Sequence, residues 1–237
     1  MRISCWGRCS PGYGTRARRG NGVAEHVRAI VLGFVVAVAA ALPAAAATRI
    51  VALGDSLTAG YGLPPEEGFV PKLNAWLAAN GAGDVEVVNA GVSGDTTAGG
   101  LARLDWTLGE PADAMILELG ANDMLRGLDP AAARSNLDQI LTRVTAKGMP
   151  VLLAGVPAIG NFGPEYQAGF AAIYADLAKR HDAILYPSFF AGLTEGRSQS
   201  EARALIQGDG LHPNAAGVDA IVADIGPVVL DLVARAK

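Results

Sequence analysis

The chain has little cysteine, histidine or charge. Of its 237 residues two are cysteine, Cys5 and Cys9, and both precede the apolar run near the start. The chain beyond that run has no disulfide, no thiol nucleophile and no thiolate metal ligand. Residues 48–237 keep only His181 and His212, too few for a zinc set. No Walker-type loop and no G-x-G-x-x-G run follows the first predicted strand, so the common nucleotide signatures are missing. No metal and no cofactor are expected. Charged residues make up 18% against 51% hydrophobic, which excludes a disordered chain. The length suits one domain with a sizeable core.

The charges are also unevenly spread. Residues 1–47 hold Arg2, Arg8, Arg16, Arg18, Arg19 and Arg28 against the single acid Glu25. Removing them from 19 basic and 23 acidic residues leaves 13 and 22, so residues 48–237 carry about −9. An acidic body argues against nucleic acid, which is bound by neutralising phosphates.

Residues 1–47 have the parts of a secretory signal: a basic stretch to Arg28, an apolar run from Ala29 to Leu42, then Pro43 and Ala44–Ala47. Cleavage is expected near Ala47, which leaves a domain over 48–237 in the periplasm or outside the cell. The basic stretch is long, and a true start downstream of Met1 is one explanation. An uncleaved anchor is the alternative, because the apolar stretch only just reaches spanning length. A lipid anchor would want a Cys directly after the run, and none is there. Arg18-Arg19 lacks the usual twin-arginine context. Contact with the membrane is therefore expected only in passing, through the export signal. The oligomeric state is left open.

The body alternates strands with helices. Apolar runs predict strands at 49–53, 85–88, 114–119, 151–155 and 183–186. Helical spacing predicts helices at 70–80, 97–108, 130–147, 164–180 and 214–235. Asp95 or Thr96 would cap the second of these and Asp129 the third, and Pro227 would bend the last. Near-continuous apolar strands with helical crossovers imply a parallel sheet covered on both faces. The expected fold is α/β: a three-layer, flavodoxin-like sandwich with strand order 2-1-3-4-5. Ligands in such folds sit at the carboxyl ends of the strands.

Polar clusters follow the first three predicted strands: Gly54-Asp55-Ser56-Leu57, Gly91-Val92-Ser93-Gly94-Asp95 and Gly120-Ala121-Asn122-Asp123. A fourth, Asp209-Gly210-Leu211-His212-Pro213, precedes the last helix. All four should face one rim. Taken singly, each reads as a turn or a cap. Together they hold the groups that acyl transfer needs. Ser56 is the candidate nucleophile at a strand-to-helix turn. His181, beside Arg180 and Asp182 at a helix end, reads as a solvated histidine, so His212 is the candidate base by elimination. Asp209 can orient the imidazole by folding back through Gly210. Candidate oxyanion donors are the N–H groups of Ser56 and Gly94 and the side-chain amide of Asn122. Phe69, Phe162, Tyr166, Phe189 and Phe190 fall in or near loops that could shape an acyl pocket, with core packing as the plain alternative.

These four clusters resemble the four blocks of the SGNH/GDSL hydrolase superfamily. The likeness is greatest to the branch of exported arylesterases and multifunctional thioesterase/lysophospholipases. Val88–Thr96, Glu118–Asp123 and Leu125-Arg126-Gly127 carry that closer likeness. The resemblance covers nearly all of residues 49–235. It implies a Ser56–His212–Asp209 triad, a Ser56/Gly94/Asn122 oxyanion hole and a small-molecule ester or thioester substrate. The loop Ala158–Tyr166 resembles the arylesterase form of a variable substrate loop, which does not fix specificity; Phe162 and Tyr166 on it are candidate substrate contacts. A carbohydrate O-acetylesterase is the enzymatic alternative. A phosphate-binding module using Asp55 and Ser56, or an inactive envelope protein, are the alternatives from other classes.

Overall fold

The computed structural model describes residues 47–157 and 162–237. The leader expected over 1–47 lies outside the described residues except for Ala47, as does the 158–161 part of the variable loop. The strands are β1 Thr48–Gly54, β2 Val85–Gly91, β3 Ala114–Glu118, β4 Val151–Ala154 and β5 Ile184–Tyr186. Every neighbouring pair is parallel and the order is β2-β1-β3-β4-β5, as the sequence predicts.

Period-two side-chain alternation divides each strand between two cores. Ile50, Ala52 and Ile116 face one cluster, where Leu73, Leu77, Ile221 and Ile225 pack. Val51, Leu53, Met115 and Leu117 face the other, with Leu137, Ile140, Phe170 and Ile173. The helices that cover these faces begin at the carboxyl end of the sheet and run back along it. That geometry leaves the connecting loops at the carboxyl ends free to carry polar groups.

The helices are α1 Ser56–Ala59, α2 Phe69–Ala79, α3 Thr97–Ala102, α4 Leu104–Thr107, α5 Ala121–Leu125, α6 Pro130–Thr145, α7 Pro164–Arg180, α8 Ala191–Thr194, α9 Gln199–Ala204 and α10 Ala215–Ala236. One predicted helix is broken, and one of two candidate caps is chosen. The single helix expected over 97–108 breaks at Arg103, because that side chain is drawn back to Asp95 and to the Gly54 carbonyl. Thr96 is the cap of α3, accepting from the Gly99 N–H, since Asp95 is committed to Arg103. Pro227 lies inside α10. The four short helices α1, α5, α8 and α9 escaped the reading because four to six residues show no helical period.

Candidate active site

Strand β1 delivers the serine. Gly54 ends it against Thr58 and Glu118: a Cβ there would lie 1.9 Å from Thr58 Oγ1, so only glycine lets the chain turn this tightly. Asp55 then caps α1, its carboxyl accepting from the Leu57 N–H at 3.0 Å, and Ser56 begins the helix. Asp55 is fully buried. Its other oxygen accepts from Asn122 Nδ2 at 3.1 Å, which links the loop after β1 to the loop after β3.

The histidine loop closes on itself before it reaches the serine. An antiparallel bridge joins Ile206 to Pro213, and the Gln207 N–H donates to the His212 carbonyl at 2.7 Å. Gly210 turns the loop at φ +75°. Asp209 Oδ1 accepts from the N–H groups of Leu211 and His212, while Oδ2 lies 2.6 Å from His212 Nδ1. The Leu211 N–H, the imidazole and the His212 N–H hold the Asp209 carboxyl down at about 2, so it is ionised at neutral pH. An ionised partner fixes the proton on Nδ1 and leaves Nε2 as an acceptor. Nε2 lies 2.8 Å from Ser56 Oγ. The Tyr61 ring sits 4.7 Å from the imidazole, centroid to centroid.

On the opposite side of Ser56, Gly94 turns the loop after β2 at φ +87°. The Arg126 guanidinium donates to its carbonyl at 2.8 Å. The loops after the first three strands are cross-linked beneath this surface. Arg103 binds Asp95 at 2.6 Å and the Gly54 carbonyl at 2.9 Å. The buried Asp123 carboxyl accepts from the Thr97 N–H at 2.8 Å and from Thr97 Oγ1 at 2.6 Å. Glu118, fully buried at the end of β3, accepts from Thr58 Oγ1 at 2.9 Å. Burial first, and the neighbouring Asp55 second, push the Glu118 carboxyl well above the usual carboxylate range. That shift favours the protonated form of Glu118.

Residues 52–220 match the model of the GDSL-like lipase/acylhydrolase family. The chain belongs to that family. It is similar to esterase TesA of Pseudomonas aeruginosa, 36% identical over 87% of this chain and 100% of the relative. It is also similar to thioesterase 1/protease 1/lysophospholipase L1 of Escherichia coli strain K12, at 37% over 86% and 90%. Among solved structures, the SGNH-hydrolase esterase AlinE4 superposes with a TM-score of 0.64 at 41% identity, covering 78% of this chain and 96% of that one. This protein is thus an SGNH/GDSL esterase, a carboxylic ester hydrolase.

Beside Ser56 the esterase opens a cavity of about 910 Å³. Leu57, Leu125, Val156, Pro157, Phe190 and Leu193 give it a mostly apolar wall, with Ser56, Gly94, Asn122 and His212 at its polar end. Of the aromatics named from sequence, only Phe190 lines it. Phe69 and Phe189 pack edge to face in the core. Phe162 and Tyr166 pack against each other with tilted rings, centroids 5.1 Å apart, and do not line the cavity. His181 is not the solvated residue the sequence suggested: it is half-buried, with Nε2 2.6 Å from Asp138. It still has no part in the site. Among the described residues no cluster of His, Cys, Asp and Glu could hold a metal ion.

Arg103, Thr97, Glu118 and Tyr61 were not singled out from sequence. Glu118 carried a usable signal, an acid inside an otherwise apolar strand. The others had none, because their partners lie far along the chain.

Proposed function

We propose that the esterase works through a Ser56–His212–Asp209 triad with the N–H groups of Ser56 and Gly94 and the Asn122 amide as oxyanion donors. The observation that carries this reading is the relay from Asp209 Oδ2 through both imidazole nitrogens to Ser56 Oγ, at 2.6 and 2.8 Å. Ser56 Oγ attacks the carbonyl carbon while His212 Nε2 takes its proton. Asp209 stabilises the imidazolium without accepting that proton. Negative charge moves to the carbonyl oxygen, where the donors meet it. Asn122 spends one Nδ2–H on Asp55 and has a second for substrate. Collapse of the adduct breaks the C–O or C–S bond, and His212 returns the proton to the leaving group. Water then repeats the steps on the acyl-enzyme.

The substrate class we propose is esters and thioesters of medium to long acyl chains, lysophospholipids among them. The cavity takes lining from the segments that follow all five strands, Ser56 after β1, Gly94 after β2, Ala121 after β3, Val156 after β4 and Phe190 after β5. A wall that apolar rewards methylenes at about 0.8 kcal/mol each.

We further propose that residues 1–47 are an export signal, which places the domain 48–237 in the periplasm or outside the cell. No helix of the described residues is long and apolar enough to cross a membrane. A mature N-terminus near residue 48, read by mass spectrometry on secreted protein, tests this.

The test of the mechanism is Ser56→Ala, assayed on aryl esters and acyl thioesters of increasing chain length. Ser56→Ala should lose activity and covalent labelling by a phosphonate, and the parent protein should favour chains longer than acetyl. Hydrolysis persisting in Ser56→Ala would overturn the mechanism.

A further inference from the structure

Two of the proposed oxyanion donors sit on different loops, Gly94 after β2 and Asn122 after β3. The sheet and the Thr97–Asp123 bonds fix these segments from below, but β1 lies between β2 and β3 and neither link holds the Gly94 peptide itself. Gly94 is exposed and turns at a positive φ that only its lack of a side chain makes easy, so its peptide planes are soft. Asn122 is held on one side only, through Nδ2 to Asp55.

Arg126 spans the gap. It stands one helical turn beyond Asn122, and its Nη2 donates across to the Gly94 carbonyl at 2.8 Å. The same nitrogen lies 3.5 Å from Asn122 Oδ1. We propose that Arg126 is a positioning residue for ester hydrolysis, a guanidinium staple that fixes the distance and orientation of the Gly94 and Asn122 donors. The proposal rests on the oxyanion assignment above and extends it.

Three physical points support it. A charge-assisted bond to the Gly94 carbonyl pins one peptide plane of that residue and so limits how far its N–H, on the other plane, can swing. The guanidinium has no acceptor, so it holds the oxygen end of the Asn122 amide toward itself, while the Asp55 carboxyl holds the nitrogen end. A flipped amide would meet a like partner at both ends. Third, no carboxylate pairs with Arg126 among the described residues, so its charge is not neutralised beside the place where an oxyanion forms. A merely structural role is poorly served here, because Arg126 is exposed and an exposed arm contributes little to stability.

The experiment compares Arg126→Met, Arg126→Lys and Arg126→Ala in the full-length chain. Removing a true oxyanion donor costs about 10²–10³ in rate, so loosening two of them should cost Arg126→Met about tenfold in kcat with KM nearly unchanged. Affinity for a boronic acid, which forms a tetrahedral adduct on serine, should fall in parallel with kcat/KM. Arg126→Lys should recover part of the rate. Millimolar guanidinium should rescue Arg126→Ala and leave the parent protein unaffected. In an Asn122→Ala background, Arg126→Met should cost clearly less than it does alone. Full kcat in Arg126→Met, a loss confined to KM, or a loss that tracks Tm without guanidinium rescue would each overturn the staple. The oxyanion reading fails separately, if Asn122→Ala keeps full activity.

Discussion

The two sides of Ser56 are built on opposite plans. On the proposed oxyanion side, three loops are locked by buried polar groups, Asp55, Thr97, Glu118 and Asp123, all at most 2% exposed. Apart from the Leu57 cap on Asp55, the bonds that join them reach 26 to 67 residues along the sequence. On the acid–base side, Asp209, Gly210 and Leu211 are exposed, and Asp209 finds all of its partners within three residues. The contrast follows from what each side must do. Oxyanion donors work only when held in place before the charge arrives, which calls for rigidity drawn from the whole sheet. A proton relay needs only one short local geometry, which a single loop can encode.

The sharpest way to break this comparison is Asp209→Asn. The side-chain oxygen can still accept from Leu211 and His212, so the loop should stay in place. The amide nitrogen then faces His212 Nδ1 and drives the proton to Nε2, where it blocks acceptance from Ser56. We expect kcat to fall on the order of 10²–10⁴, with Tm unchanged. Stopped assays beside thermal denaturation read both. A large Tm loss would mean that Asp209 supports the fold as the buried carboxyls do. Because Asp209 stays ionised down to about 2, an activity loss at mildly acidic pH is not its own protonation. Its stabilising contribution is full above the unfolded value of 3.8 and disappears only as pH falls through about 2.

Asp123→Ala should show the reverse signature. It strands the buried Thr97 N–H and takes one partner from Thr97 Oγ1, which keeps Asn136 Nδ2 at 3.0 Å. The expected cost is about 2–4 kcal/mol in denaturant unfolding, with a smaller fall in kcat than Asp209→Asn gives. An unchanged unfolding midpoint would show that the locked side is not stiff.

The same contrast governs what could be read from the sequence. Asp209 and His212 are three residues apart, so their pairing was legible by spacing. The strand order and the shared rim were legible too, because apolar strand runs and helical periods are local patterns. The cross-links Asp55–Asn122, Gly54–Arg103 and Thr97–Asp123 were not, because no local pattern marks two residues that meet only after the sheet is assembled. His181 was misread for the same reason: its acid, Asp138, lies on α6, while the sequence offered only its neighbours on α7.

Glu118→Gln is expected to do least, and that small effect is informative. If Glu118 is a neutral acid, a glutamine of the same shape keeps an oxygen for Thr58 Oγ1 and adds no charge beneath Asp55. Activity should stay within about twofold of the parent. The pH dependence of stability should nevertheless change. The folded carboxyl sits well above 4.5, so its contribution is whole below that value and is lost as pH climbs toward the folded pKa, because the unfolded chain ionises first. Glu118→Gln removes that loss, so Tm measured as pH rises from 4.5 should decline less steeply than in the parent. A variant that is inactive, or whose Tm falls just as steeply with pH, would mean that Glu118 carries a charge in the folded protein. The locked side would then hold two adjoining anions beneath the oxyanion site, an arrangement that opposes the chemistry above it.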